Sequence, residues 1–274
     1  MNTKNDRATW LKGEDARCSM PPKFTQQSFR FVLLGAPGVG KGTQAELLCE
    51  RFHTCHLSTG DVFRMAKCLA ESERTPAMQT ALGHMRRGEL VPDGTVLDLI
   101  SERARCLRCH GGFLLDGFPR TVKQAEALDA LLEREKVALT AVVNYELPLG
   151  QIVERLAGRR TCADCKAVFH VATLPPLNDG VCDHCGGQLV QREDDRPESI
   201  RVRMAAYEAS TSPLAEFYRR KNLLVSITAD GSPQEIFERT LALLPITQSG
   251  RRQRQETNED GQQPKEYHEC RSGI

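Results

Sequence analysis

The sequence predicts a three-layer α/β/α protein, in which a parallel sheet carries helices on both faces. Short apolar runs alternate with helical patterns along most of the chain, which is typical of strand–helix units in a parallel sheet. The first apolar run leads directly into a glycine-rich loop, and the second ends in a carboxylate. Two segments interrupt the alternation, one helical and one rich in cysteine, glycine and proline. We therefore predict two insertions mounted on the sheet.

The predicted elements follow one another in regular order. Each strand is a short apolar run bounded by polar residues or glycine, and each helix has apolar residues at helical spacing. The strands are predicted at residues 31–34, 113–116, 141–145 and 223–227. The helices are predicted at residues 44–52, 96–105, 121–134, 149–156, 197–220 and 233–244.

The polar ends of the chain bound the predicted domain. Residues 1–28 mix acidic and basic side chains, and residues 246–274 contain few hydrophobic ones, so both are expected to be disordered extensions. The domain itself is placed at residues 29–245. Its helical insertion is expected at about residues 58–87 and its cysteine-rich insertion at about residues 158–195.

The composition is that of an ordinary globular protein. The 274 residues are 40% hydrophobic and 27% charged, with a formal net charge of +1, which gives no global attraction to nucleic acid or membranes. No apolar run approaches the ~18 residues of a membrane helix, and no stretch resembles a signal peptide. We expect a cytoplasmic protein without nucleic-acid or membrane partners.

The glycine-rich loop reads GAPGVGKGTQ over residues 35–44. Glycines allow backbone N–H groups to point at one site, and the N-terminus of the following helix adds roughly half a positive charge there. Lys41 supplies a full charge for the β- and γ-phosphates of a nucleotide. The loop therefore predicts a phosphate site of the P-loop NTPase type, although Gly42 stands where Ser or Thr commonly follows the lysine.

The second predicted strand ends at Asp116, and Gly-Phe-Pro and then Arg120 follow it. A carboxylate there can orient Mg²⁺ through its waters, and an arginine can form a two-pronged contact with phosphate. Because ligands bind beyond the carboxyl ends of parallel strands, Asp116 is expected beside the glycine loop.

Arginines recur where the insertions join the predicted core. Together they could neutralise two polyphosphates that face each other, whose mutual repulsion is the main obstacle to phosphoryl transfer. No motif for a catalytic base accompanies them, which favours an acceptor that is already ionised, such as a nucleotide phosphate. These arginines are Arg64, Arg120, Arg155, Arg159, Arg192 and Arg203.

Two Cys-x-x-Cys pairs lie in the second insertion, with sixteen residues between them. Four cysteines at this spacing match a closed tetrahedral zinc site, which is structural because no position remains for water. Iron or a redox dithiol are the alternatives. A nucleic-acid-binding zinc ribbon is disfavoured, since neither aromatic residues nor a basic excess accompanies the pairs. The proposed ligands are Cys162, Cys165, Cys182 and Cys185.

Five motifs in this order resemble the adenylate kinase family, in its long form with a zinc-bearing lid. The resemblance covers about residues 29–245. The motifs are GAPGVGKGTQ at 35–44, LSTGD at 57–61, LDGFPR at 115–120, GRR at 158–160 and REDD at 192–195.

The resemblance implies two nucleotide sites and a set of catalytic charges. For ATP it implies Gly38, Val39, Gly40, Lys41, Gly42, Thr43, Arg159, Val168, Phe169 and Pro233. For AMP it implies Thr59, Arg64, Glu89, Leu90, Val91, Gly117, Phe118, Pro119, Arg120, Gln124, Arg192 and Arg203, with Gln124 as the amide that reads adenine. As catalytic residues it implies Lys41, Asp116, Arg120, Arg155, Arg159, Arg192 and Arg203.

The implied activity is the reversible, Mg²⁺-dependent transfer of the γ-phosphoryl group of ATP to AMP, which gives two ADP. The implied architecture adds a helical NMP-binding insertion and a small zinc-ribbon lid, in a monomer. A GTP:AMP phosphotransferase or another nucleoside monophosphate kinase is the first alternative. A zinc-ribbon binding module with a degenerate P-loop is a remote one, because the intact Lys41 and Asp116 argue against degeneracy.

Overall fold

A parallel five-stranded sheet forms the centre of the computed structural model, which describes residues 28–66, 76–101, 107, 111–165 and 167–245. The strand order is β2-β3-β1-β4-β8, and the pairings are parallel. These strands are β1 (Phe29–Gly35), β2 (Cys55–Ser58), β3 (Gly112–Asp116), β4 (Ala141–Glu146) and β8 (Leu224–Thr228).

Nine helices of the described residues surround this sheet and its insertions. They are α1 (Lys41–Phe52), α2 (Thr59–Ala66), α3 (Pro76–Arg87), α4 (Asp93–Ser101), α5 (Val122–Arg134), α6 (Leu149–Gly158), α7 (Pro197–Ala206), α8 (Pro213–Arg220) and α9 (Pro233–Leu243). In the described part of the chain, none of the helices combines the length and the apolar character that a membrane crossing requires.

Both faces of the sheet are buried, which explains the continuous apolar runs of the strands. Successive residues of β1 alternate between two cores, since Val32 joins a core with Leu128 of α5, and Leu33 joins another with Leu48 of α1. The three-layer α/β/α prediction is therefore confirmed.

The cysteine-rich insertion forms a separate antiparallel sheet with the order β6-β5-β7. Its strands are β5 (Arg159–Cys162), β6 (Val168–His170) and β7 (Leu189–Val190), and a 3-10 turn follows at Glu193–Asp195. We call the segment 159–195 the lid. The predicted tails fall outside the described residues, except for Ser28.

The structure differs from the sequence prediction in two elements. Strand β2 was not predicted, because it has only four residues and its sequence, Cys-His-Leu-Ser, contains no apolar run. The helix predicted at residues 197–220 is interrupted by a π-helical turn, in which the N–H of Ser212 donates to the carbonyl of Tyr207 at 2.8 Å. Pro213 comes next and has no N–H to donate, so α8 starts there as a separate helix.

Candidate active site

The glycine loop connects β1 to α1 at the carboxyl edge of the sheet. Gly35, Gly38 and Gly40 have φ values of +132°, +84° and +100°, which side chains rarely adopt. Space is also limiting at one of them, because a Cβ on Gly38 would lie 2.6 Å from Cγ of Leu156. A Cβ on Gly42 would meet no atom within 4 Å, so the loop does not need glycine at that position.

Lys41 begins α1, and its side chain folds back over the loop. Its Nζ donates to the carbonyl oxygens of Gly35 at 2.7 Å and Ala36 at 2.9 Å. Burial, together with the charges of nearby arginines, lowers the pKa of Lys41 to about 8, while the charge of Asp116 opposes the shift. The ammonium group thus lies in a poorly solvated, positively charged region, where an anionic ligand would stabilise its charge.

A cleft of about 1130 Å³ opens beside the loop, which is ample for a nucleotide-sized ligand. The catalytic residues expected from the sequence all line it: Lys41, Asp116, Arg120, Arg155, Arg159, Arg192 and Arg203. The residues expected at the ATP site that line it are Gly38, Gly40, Lys41, Gly42, Thr43, Arg159, Val168, Phe169 and Pro233.

A smaller cavity of about 60 Å³ adjoins the cleft. The residues expected at the AMP site that line it are Thr59, Glu89, Val91, Gly117, Arg120, Gln124 and Arg203. Arg120 and Arg203 line both spaces. The cleft and the cavity therefore share part of their walls, which includes these two arginines.

One fully buried carboxylate, that of Asp195, binds two of the cleft arginines. It accepts hydrogen bonds from Nε of Arg159 at 2.7 Å and from Nη2 at 2.5 Å, and a third from Nη1 of Arg203 at 3.0 Å. Arg203 also pairs with the carboxylate of Asp194 at 3.1 Å. Because Arg159 lies at the start of the lid and Arg203 in α7, this carboxylate joins the lid to the core.

Two further arginines of the cleft have backbone or hydroxyl partners. Nη1 of Arg155 donates to the carbonyl of Val39 at 3.3 Å, and Nε of Arg192 donates to Oγ1 of Thr161 at 2.9 Å. Both side chains line the cleft, where an anion would contact them.

The wall between β3 and α5 is held by a chain of hydrogen bonds. The carbonyl oxygen of Gly117 accepts from Nε of Arg120 at 2.8 Å and from Oγ1 of Thr59 at 3.0 Å. The backbone N–H of Arg120 donates to Oε1 of Gln124 at 2.8 Å, and Nε2 of Gln124 donates to Oδ1 of Asp93 at 2.6 Å. Arg120 and Gln124 are therefore oriented before any ligand binds.

The four lid cysteines lie together, with their sulfur atoms all within 4.8 Å of one another. The Sγ atoms of Cys162 and Cys185 are 3.5 Å apart, as are those of Cys165 and Cys182. A zinc ion with Zn–S bonds of about 2.3 Å holds its sulfurs about 3.8 Å apart in a tetrahedron. The donor set and its spacing thus fit zinc.

Comparisons with known proteins agree with this geometry. A family model described as adenylate kinase matches residues 33–223. The chain is 44% identical to an adenylate kinase of Clostridium tetani over 207 residues, which are 76% of this chain and 94% of that protein. It is 46% identical to adenylate kinases of Carboxydothermus hydrogenoformans and Streptomyces coelicolor, over 76% and 78% of this chain and 95% and 98% of those proteins. The chain belongs to the adenylate kinase family.

The residues expected at the AMP site do not all line the small cavity. Phe118 is fully buried in the core, so its side chain packs beside the sheet and lines neither cavity. Leu90, Pro119 and Arg192 line the large cleft and not the small cavity. Arg64 belongs to α2, but its side chain lies outside the described part of the structure.

Two residues of the expected ATP site have protein partners. The carbonyl of Pro233 accepts a hydrogen bond from Nε2 of Gln44 at 2.8 Å, and the side chain of Val39 is buried in the core. Pro233 still lines the cleft. Its contact with an adenine base stays a prediction.

The structure adds residues to which sequence reasoning gave no function. Asp195 lies in the REDD motif of adenylate kinases, but its partner Arg159 is 36 positions away in the sequence. His56 has a buried side chain, with Nε2 3.6 Å from Oδ2 of Asp116, and His184 lies against the Phe169 ring with centroids 5.8 Å apart. No motif in the sequence indicated a function for Asp93, which begins α4 in the structure.

Proposed function

We propose that this protein catalyses the reversible, Mg²⁺-dependent transfer of the γ-phosphoryl group of ATP to AMP, which gives two molecules of ADP. The observation that supports this most directly is the junction of the two cavities, where Arg120 and Arg203 line both spaces. A donor at the glycine loop, and an acceptor that extends from the small cavity into the part of the cleft lined by Leu90, Pro119 and Arg192, would bring their phosphates together there. Guanidinium groups at that point offset the repulsion between the phosphates.

The donor phosphates would bind at the glycine loop, with Lys41 as the principal charge. Asp116 lies at the carboxyl end of β3 and lines the same cleft as Lys41. We propose that Asp116 holds Mg²⁺ through waters. When bound with ATP, the cation neutralises charge on the β- and γ-phosphates.

Closure of the lid would complete the donor site. Arg159 lies at the start of the lid and Phe169 within it, so both would move with this segment. Closure excludes water, which limits hydrolysis of ATP and strengthens the contacts between arginines and phosphates.

The four lid cysteines would hold a structural Zn²⁺ ion. The lid has a small core, made mainly of Phe169, Leu189 and the buried cysteines Cys162 and Cys182. Such a segment buries too little apolar surface to be stable alone, and a metal supplies the missing free energy. With four sulfur ligands, the metal would take no part in the reaction.

We also propose that the protein acts as a monomer in the cytoplasm. The resemblance to adenylate kinases implies the monomer. The lid cysteines form no disulfides, which a reducing compartment favours. Light scattering during gel filtration tests the oligomeric state, and fractionation of cells tests the compartment.

The direct test is ADP formation from ATP and AMP by the purified full chain. Lys41→Ala should abolish most of the activity, because it removes the charge at the loop. Lys123→Ala, on the exposed face of α5, is the matched control and should keep parental activity. An inactive parent, or a Lys41→Ala variant with parental activity, would overturn the proposal.

The base of the donor is tested separately. ATP, GTP and ITP are compared at one AMP concentration, because contacts near Val168, Phe169 and Pro233 would decide the choice of base. We expect ATP to be preferred. A clear preference for GTP would instead identify a GTP:AMP phosphotransferase.

A further inference from the structure

The Gln124 side chain has a fixed orientation at the wall of the small cavity. Its amide is buried, with 1% of the residue exposed. Oε1 accepts from the backbone N–H of Arg120 at 2.8 Å, and Nε2 donates to Oδ1 of Asp93 at 2.6 Å. Each end of the amide thus has its own partner.

These two partners determine which way the amide points. A backbone N–H can only donate, and an ionised carboxylate can only accept. If the amide were flipped, its oxygen would face the carboxylate of Asp93 and its NH₂ group would face the N–H of Arg120. Both contacts would then be repulsive, so Asp93 and Arg120 select one orientation.

Asp93 is itself held at the start of α4. Oγ1 of Thr121 lies 3.3 Å from both carboxylate oxygens and donates to them, and it accepts from the backbone N–H of Gln124 at 3.1 Å. Asp93 is not among the described residues that line either cavity. Its hydrogen bond to Gln124 is therefore its most direct link to a ligand in the small cavity.

The fixed amide keeps one N–H and one oxygen lone pair for a ligand. The edge of a 6-amino purine presents a donor at position 6 and an acceptor at N1. A 6-oxo purine presents the reverse, an acceptor at position 6 and a donor at N1. For a base bound in a given position, the 6-amino edge can form both hydrogen bonds with only one orientation of the Gln124 amide. The 6-oxo edge can form both only with the flipped orientation.

We propose that Asp93 is a positioning residue that sets the acceptor's base selectivity, by holding the Gln124 amide in the orientation that favours 6-amino over 6-oxo purine monophosphates. This inference rests on the proposed function of the small cavity as the acceptor site. The inference assigns the selectivity for the acceptor's purine base to Asp93, a residue that does not contact the nucleotide.

The test compares AMP with inosine monophosphate, which carries the 6-oxo edge and no 2-amino group. For Asp93→Ala we expect the ratio of kcat/KM for AMP to that for IMP to fall about tenfold, the effect of about one misplaced hydrogen bond. The loss should lie in the KM for AMP, with the KM for ATP unchanged. Asp93→Asn keeps an accepting oxygen, so it should restore most of the ratio.

Two comparisons separate positioning from a general structural effect. In a Gln124→Ala background, Asp93→Ala should change the ratio no further, because both substitutions remove the same interaction. Asp98→Ala, at an exposed position of the same helix, should leave the ratio at its parental value. If Asp93→Ala does not fold, Asp93→Ser keeps a helix-capping hydroxyl and replaces it in the comparison.

An unchanged AMP-to-IMP ratio in Asp93→Ala, or equal losses for the two acceptors, would overturn the inference. So would an Asp93→Asn variant that behaves like Asp93→Ala. These outcomes differ from failure of the proposed function, which would appear as a parent protein that does not convert ATP and AMP to ADP.

Discussion

Arg159 donates two hydrogen bonds to the carboxylate of Asp195, from Nε at 2.7 Å and from Nη2 at 2.5 Å. The guanidinium belongs to the first strand of the lid, and the carboxylate to the turn where the lid returns to the core. The two ends of the lid are thus joined by a charged pair, and the same carboxylate also holds Arg203.

Removal of this carboxylate should affect both stability and activity. Asp195→Ala leaves two arginines without their buried partner, so we expect a loss of about 3–5 kcal/mol in the free energy of unfolding. The KM values for both nucleotides should rise, because the two guanidinium groups lose their orientation. Urea denaturation and steady-state kinetics measure the two effects.

The control for Asp195 is its neighbour Glu193, an exposed residue 3.7 Å from Arg86. An exposed pair contributes about 0–1 kcal/mol, so Glu193→Ala should lose little stability. Equal losses in the two variants would show that burial of the Asp195 carboxylate does not matter.

The loop glycines should differ sharply in their tolerance of a methyl group. Gly38→Ala places a Cβ 2.6 Å from Leu156 at a φ of +84°, so we expect about 2–4 kcal/mol of destabilisation and a large loss of ATP binding. Gly42→Ala has free space and lies in α1. It should keep activity and gain up to about 1 kcal/mol. Thermal unfolding and the KM for ATP distinguish the two.

The pH dependence of ATP capture should report the low pKa of Lys41. Burial lowers this pKa to about 8, so the free enzyme loses the charge on Nζ as the pH rises through 8. We expect kcat/KM for ATP to fall above about pH 8. A guanidinium stays charged in this range, so Lys41→Arg, although slower, should lack this decline. A decline of the same midpoint in Lys41→Arg would assign it to another group.

Zinc should be present at about one ion per chain, held by the four lid cysteines. Cys162→Ser should lower the zinc content and the midpoint of thermal unfolding, while the reaction at low temperature persists, because the metal would only stabilise the lid. Cys55→Ser lies in β2, away from the lid, and should keep its zinc. Metal analysis of freshly purified protein that finds no zinc would contradict the assignment.

Most of the fold was predictable because its signals are local. Each of these elements has its signal within one continuous segment of sequence: the glycine spacing for the loop, and an apolar run for each of the strands β1, β3, β4 and β8. Strand β2 escaped prediction because its four residues are stabilised by pairing with β3, a contact that no local pattern reveals. The π-helical turn between α7 and α8 escaped for a similar reason, since both flanking segments have helical spacing.

The sequence predicted which residues belong to the candidate site, but it did not predict which of them contact one another. The sequence indicated Lys41, Asp116 and six arginines, and all of these except Arg64 line one cleft. That Arg203 also lines the small cavity depends on how α7 packs against the insertion. Phe118 shows the opposite case, because a residue within a motif can serve the core and not the cleft.

The sequence by itself determined four of the five strands of the central sheet, the phosphate loop and the cysteine set, because each has a local sequence signal. The tertiary structure decided that Asp195 binds Arg159 across 36 positions, and that Asp93 orients Gln124 across 31. Such pairs form only when distant segments are packed together, since a hydrogen bond needs its two atoms within about 3 Å. Local sequence spacing therefore identifies the functional side chains, and tertiary packing determines which of them form hydrogen bonds with each other.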